Sequence, residues 1–466
     1  MNPFQKTLES LRLLGPAPRR FLLFVVFNTI SWQVIAGSIL ILHARAIGLE
    51  AAWIGLVMAI TPFTMVLSLW TSPWVNRFGP RRLLLTGWTL RNLGALPLVF
   101  TPVVYAQWGT GAAGALLFFG VLFFCTMRSL TCVGWFPWLH EIVPEGERGR
   151  YFSVEIIIVQ VANVSIGLLT FLILGGNPAL HKFSLITLLG IAAGLTSVRL
   201  ITRIPGGRPR PENRARTVVF DLRLVFRDAD FRSYALWTSA GMFVTMGQGT
   251  LVVLTLRDSL AVSPAMIMLS TAAGAAAAVL AGPWWGRLAD RHGSAVVQLM
   301  SGWTLGLSLL GLCMLRREIC TPWTYVPLVV FTTIGYCGFF VASNRGMLHR
   351  MRPKIRSSYA SVWLALTSLA AGLSTIIVGQ CIQRGGERGY WGTALAYGLL
   401  LIVTAVKCGG LPEKGNTLGQ EIRLLYEPSR PFWSVGRMCW FVLNPPGADA
   451  APAATKGSPR TTPSPR

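Results

Sequence analysis

"TAAGAAAAVLAGPWWGRLADRHGSAVVQLMSGWTLGLSLLGLCML" occupies residues 271–315. Its centre, "GRLADRHG" (286–293), gathers Arg287, Asp290, Arg291 and His292 into eight residues of a chain in which only 13% of residues are charged. The flanks carry no charge and, with the left one followed back to Pro264, are about 20 residues each, long enough to cross a ~30 Å hydrocarbon core as helices. The stretch therefore reads as span, tight turn, span. Gly286 and Gly293 permit close packing and positive φ where the chain reverses. Asp290 is placed to accept backbone N–H groups at a helix start and to pair with Arg291.

The same grammar extends over the 466 residues, 52% of them hydrophobic. A soluble protein carries about 25% charged residues. Only helices and closed barrels satisfy their backbones in lipid, and long unbroken apolar runs exclude the barrel. Spans are predicted at 21–44, 51–71, 83–106, 111–138, 152–174, 183–202, 234–256, 264–285, 295–315, 324–348, 358–381 and 389–407. The fold class is an all-α polytopic membrane protein of about twelve transmembrane helices. The first span is too long for a signal-peptide core and lacks a small-residue cleavage site, so it is expected to be retained.

A net charge of +24 suggests nucleic acid until its distribution is examined. The basic residues crowd alternate loops, which by the positive-inside rule face the cytoplasm, as do both termini of a cell-membrane protein. Such a face suits anionic lipid head groups, and no nucleic-acid partner is expected. The eight cysteines show no metal-ligand spacing, and buried free thiols are the expectation. Cys320 and Cys381 fall near the outer surface, the one place where a pair is conceivable. Neither metal nor cofactor is expected, and no P-loop, nucleophile or other enzyme constellation is present.

The chain is written twice. "RFGPRRLLLTGWTL" (77–90) parallels "RHGSAVVQLMSGWTL" (291–305), and "HEIVPEGERGRYFSV" (140–154) parallels "HRMRPKIRSSYASV" (349–362). Gly79 and Gly293 lie 214 residues apart, Trp88 and Trp303 215, His140 and His349 209, Tyr151 and Tyr359 208, and Gln33 and Gln248 215. Ordered matches at a nearly constant offset imply a duplicated six-helix unit. The expected organisation is a cytoplasmic N-terminus (1–20), a first bundle (21–202), a basic linker (203–232), a second bundle (233–407) and a cytoplasmic tail (408–466). The tail's apolar piece 431–443 is too short to span and its end is expected to be disordered.

"GRLADRHG" resembles the loop motif of the major facilitator superfamily, Gly-x-x-x-Asp-Arg-x-Gly followed by basic residues. In that family it lies between helices two and three and recurs between eight and nine. The first copy here, "SPWVNRFGPRR" (72–82), has Ser72 for the Gly and Asn76 for the Asp but keeps Arg77, Gly79, Arg81 and Arg82. The second keeps Gly286, Asp290, Arg291 and Gly293. "VPEGERGRYFS" resembles the family's loop after helix four, and the resemblance covers about 20–410. It implies two pseudo-symmetric six-helix bundles rocking about a midplane site, these loop residues acting as gates.

Charged groups near the bilayer centre cost at least ~2.5 kcal/mol each and need a reason. Arg91 and Arg128 fall near the midplane of spans three and four, with no charged counterpart in the second half. Arg128 also resembles the family's fourth-helix arginine. A structural pairing with Glu155, a polar side chain or a helix C-terminus is one account of the two arginines, substrate contact the other. Gln33 and Gln248, at matching points of spans one and seven, are expected to face each other across the cavity. Asn28, Gln160, Asn163 and Thr245 are secondary cavity candidates, and Glu155 the one carboxylate placed for ion coupling or an ion pair. The expected function is secondary transport of a small anionic or zwitterionic solute by a monomer whose other partners are membrane lipids. A lipid flippase and a non-transporting sensor or scaffold remain as alternatives.

Overall fold

A computed structural model describes residues 15–144, 148–176, 178–209, 222–351 and 356–409. Five long helices carry proline in the first turn, where the missing N–H has no intrahelical partner to lose: Pro16, Pro80, Pro102, Pro264 and Pro322. The first span is α1 (Pro16–Ala36) and α2 (Ser38–Ala46), separated by extended backbone at Gly37. The second is α3 (Ala51–Met65), tightening to a 3₁₀ turn over Val66–Leu69. A short α4 (Ser72–Phe78) leads to α5 (Pro80–Gly94), and α6 (Thr101–Thr131) and α7 (Trp135–Ile142) follow.

Eleven helical stretches are long and apolar enough to cross a membrane, one of them running 60 residues from Pro80 to Leu139. That one holds two spans. Gly109 takes φ 76° and ψ −172°, which breaks the helix. Around it Gly87 meets Thr131, Gly94 meets Phe123 and Gly120 meets Leu98, an antiparallel ladder centred on the break. The first half closes with α8 (Arg148–Leu174) and α9 (Leu180–Thr202).

After α10 (Leu222–Arg227), span seven is α11 (Ala229–Leu254) with a π turn over Thr255–Ser259. Spans eight to twelve are α12 (Pro264–His292), α13 (Ser294–Met314), α14 (Pro322–Arg350), α15 (Arg356–Gly385) and α16 (Glu387–Gly409). No strand occurs among the described residues.

Packing repeats the duplication. In the first half the first span packs on the fifth and sixth, the third on the fourth and sixth, and the second on the fourth. In the second half seven packs on eleven and twelve, nine on ten and twelve, and eight on ten. The halves meet through two equivalent seams, α3 on α15 and α8 on α12, with α2 added against α11 and α12. The first seam is backbone on backbone: a Cβ at Gly379 would lie 2.5 Å from the Ala51 carbonyl oxygen. Small residues permit that approach in lipid, where dispersion contacts rather than water exclusion hold helices together.

Some expectations change. "GRLADRH" is the last turns of α12, not a turn, and Gly286 is helical. The reversal is made by Gly293 alone, at φ 86° and ψ 163°, and Gly79 does the same in the first copy at φ 80° and ψ 146°. Asp290 pairs with Arg345 of α14 rather than with Arg291, because it leaves the helix on the face that meets its neighbour. Residues 16–20 already belong to α1, and α11 begins at Ala229, capped by the Asp228 carboxylate accepting the Phe231 N–H at 3.3 Å. Cys320 and Cys381 are both free. Linker residues 210–221 and the tail from 410, with its apolar piece 431–443, lie outside the described residues.

Candidate functional site

The charged centre of the first half forms where α1, α3, α5 and α6 converge. Arg91 leaves α5 with no exposed surface at all, among the largest fully buried side chains. One Nη donates to the Asn28 Oδ1 at 2.5 Å, and the same oxygen accepts the Trp88 indole N–H at 2.8 Å. Nε and the other Nη have no partner. The guanidinium carbon lies 4.5 Å from the Trp88 ring centre and 4.8 Å from that of Phe124. Cation–π contacts of this kind strengthen when desolvated, and here they stand where a carboxylate is usually found.

Arg128 approaches the same aromatic cluster from α6. Its guanidinium carbon is 4.1 Å from the Trp32 ring centre, and Trp32 stacks on Phe124 at 6.1 Å. One Nη points at the Met65 sulfur at 3.2 Å, a weak acceptor. Trp32 and Phe124 thus sit between the two guanidiniums. Among the described residues no carboxylate forms an ion pair with either arginine; Glu155, half-buried on α8, does not reach them. The two differ in access: Arg91 is sealed, whereas Arg128 is only half-buried.

The other candidates divide. Gln33 and Gln248 are half-buried, and no hydrogen bond among the described residues holds either amide. Gln33 folds back along its own helix, its Oε1 2.4 Å from where a Cβ on Gly37 would sit. Asn28 is committed to Arg91 and Trp88. On α8 the Asn163 amide donates to Gln160 Oε1 at 3.0 Å, leaving Asn163 Oδ1 without a partner. Thr245 is buried and returns its hydroxyl to the Met242 carbonyl at 3.2 Å.

Among the loop residues, Arg77 is exposed and lies over the Phe78 ring at 5.4 Å, and Arg291 is exposed. The Asn76 side chain lies outside the described residues. Arg81 donates through its guanidinium to the Thr202 carbonyl at 2.7 Å and through its backbone N–H to Gly207 at 3.1 Å. The start of the linker is thereby strapped to the first half. Trp138 donates to the Pro205 carbonyl at 3.0 Å, and the Glu141 carboxylate accepts the Gly207 N–H at 3.0 Å.

Sequence reasoning missed the pair at the opposite, less basic end. Arg45, closing α2, donates through Nε to Asp258 Oδ1 at 3.0 Å. Asp258 sits in the π turn and also accepts the Tyr390 hydroxyl at 3.1 Å. Among the described residues this is the ion pair that joins the halves. A signal existed: Arg45 and Asp258 are 213 residues apart, inside the repeat's own offset. Residues at equivalent positions meet where a pseudo-two-fold axis passes between them.

Comparison with known proteins gives the same architecture. Residues 240–444 match the Major Facilitator Superfamily model. The structure is similar to a D-xylose-proton symporter, with 12% identity over 86% of this chain and 98% of that one and a TM-score of 0.70. It is similar to the inward-open xylose transporter XylE from E. coli, with 12% identity over 91% and 100% and a TM-score of 0.67. The nucleoside transporter NupG gives 12% identity over 85% and 99% and a TM-score of 0.61. No curated protein matches the sequence significantly.

Proposed function

We propose that this chain is a transporter of the Major Facilitator Superfamily, whose fold it shares and whose model its residues 240–444 match, and that it moves a small anionic or zwitterionic solute by secondary transport. The Arg91–Arg128 couple carries the reading. Each charge in a span costs at least ~2.5 kcal/mol, and placing two beside each other without an acid adds repulsion. An incoming anion supplies the missing counter-charge. Arg128, half-exposed, makes the contact, and Arg91, sealed behind Phe124, supplies a fixed positive field.

The solute then meets Gln33 and Gln248 as hydrogen-bonding groups from the two halves, the midplane location the superfamily uses. The positive-inside rule makes the basic end cytoplasmic in a cell membrane. With Arg45–Asp258 holding the other end shut, the conformation is inward-facing. Asp290–Arg345 and the strap on Arg81 brace the basic end of each half separately.

Thermal unfolding of the purified protein against small anions, amino acids, sugars and cationic drugs tests this reading. An anion or zwitterion is expected to stabilise the wild type, with the effect reduced at least tenfold in apparent affinity by Arg128→Gln and partly kept by Arg128→Lys. Stabilisation by neutral sugars or cations that Arg128→Gln leaves intact would overturn it.

A further inference from the structure

We propose that the first half carries a site for one anionic phospholipid, on its outer face at the basic end. A groove of about 410 Å³ opens there between α4, α5 and the last turns of α6. Trp74 and Phe78 form one wall, Leu83 and Leu90 the floor, and Met127 and Leu130 the other wall. Beyond its deep end the surface continues as Leu93, Phe119 and Phe123, all exposed. That exposed apolar face belongs to the first half alone and includes neither Arg91, which is fully buried, nor Arg128.

The mouth is chemically different. Arg82 and Thr86 line it four residues apart, hence on one face of α5. Both side chains are exposed, and among the described residues neither guanidinium nor hydroxyl has a partner. From Arg82 to Leu90 is eight residues, about 12 Å along the helix. The hydrocarbon of one leaflet is about 15 Å deep. The groove therefore runs from head-group level most of the way to the bilayer centre, with a cation and a hydroxyl at the top and apolar walls below.

That gradient matches a phosphate with an acyl chain attached. Arg82 takes the phosphate through its planar fork, Thr86 donates a further hydrogen bond, and the chain lies along Leu83, Leu90 and Leu130. A zwitterionic lipid satisfies Arg82 less well than an anionic one, because its own ammonium offsets the phosphate charge, and a free phosphate has no use for the walls. Arg77, over the Phe78 ring at the same mouth, adds positive potential. The site shares no residue with the proposed solute site, so either can fail alone.

The test is lipid retention. The full chain is reconstituted in nanodiscs of phosphatidylcholine with a minor fraction of phosphatidylglycerol, then extracted in mild detergent and weighed by native mass spectrometry. The wild type is expected to keep one phosphatidylglycerol in preference to phosphatidylcholine. Arg82→Gln should lower that preference about fivefold, Arg82→Lys less, and the groove-filling Leu130→Trp should release the lipid with the charge still in place. Arg291→Gln, an exposed cation at the equivalent end of the other half, should change nothing. Equal retention of both lipids, or full retention in Arg82→Gln and Leu130→Trp, would overturn the site. So would equal stabilisation by free inorganic phosphate.

Discussion

Asn28 holds the charged centre together with one oxygen. Its Oδ1 accepts two buried donors, from Arg91 and Trp88, so truncation orphans both. Leaving buried donors unmade costs about 1–3 kcal/mol each, so Asn28→Ala is expected to lower the unfolding midpoint clearly. Arg91→Met should act the opposite way. It removes a buried charge with two unmet donors and substitutes an apolar chain of similar length against Trp88 and Phe124. Replacing buried ionic groups by packed apolar ones is often neutral or stabilising by about 1–4 kcal/mol. Equal or raised thermal stability with weakened anion binding would identify Arg91 as a group kept for its field. A collapse of stability in Arg91→Met would show that it is a structural strut. The sequence displayed the two arginines because charge inside an apolar run is conspicuous. It did not display Trp32 and Phe124 between them, since aromatic residues in spans are ordinary and only the crossing of α1 with α6 turns these two toward the arginines.

Between elements, Arg45 and Asp258 join the two halves at the less basic end. The pair is part-exposed, with side-chain accessibilities of 35% and 13%, so it contributes at most about 1 kcal/mol. That suffices for a rocking molecule, whose two states need differ little: 1 kcal/mol moves the ratio of populations about fivefold. Asp258→Asn is therefore expected to open the less basic end more often. Labelling of a cysteine introduced at Gln33 by a membrane-impermeant reagent from that side should quicken about fivefold. The exchanged pair Arg45→Asp with Asp258→Arg should restore the slow rate. Unchanged labelling in Asp258→Asn would sink the latch. The π turn that presents Asp258 could not be read from "TLRDS", because π geometry depends on the packing around the helix end. Likewise "GRLADRHG" reads as a loop by composition although it is helical to His292. Charged residues at a membrane surface look alike in a helix and in a turn, and the glycine with positive φ is the sole sharp punctuation.

Across the whole molecule the two seams between halves are equivalent in position but not in fit. A Cβ on Gly379 or Gly55 of the α15–α3 seam would fall 2.5 Å or 2.3 Å from a backbone oxygen of the facing helix. On the α8–α12 seam a Cβ on Gly167 meets the Ala272 methyl at 2.8 Å, where a side chain is the nearest atom. Neither a backbone oxygen nor an alanine methyl can move aside, and the closer approach makes the α3–α15 seam respond the more sharply to added volume. Gly379→Val is expected to pry the less basic ends of the halves apart, since Gly379 faces Ala51 at the start of α3, and to leave each six-helix bundle intact. The check is a distance measurement between nitroxides at Trp108 and Ile319, exposed at that end of the first and second halves, with the eight native cysteines replaced. Gly379→Val should lengthen the distance and add a second population, and Gly167→Ala should shift it less. An unchanged distribution in folded Gly379→Val would mean that the halves do not move as rigid bodies about these seams, and the alternating-access reading would lose its mechanical basis. The duplication that predicts this motion was legible because each copy kept its glycine joint and its tryptophan one helix on. How closely each seam is packed was not legible, because contact across an axis is a property of two surfaces and neither copy records the other's shape.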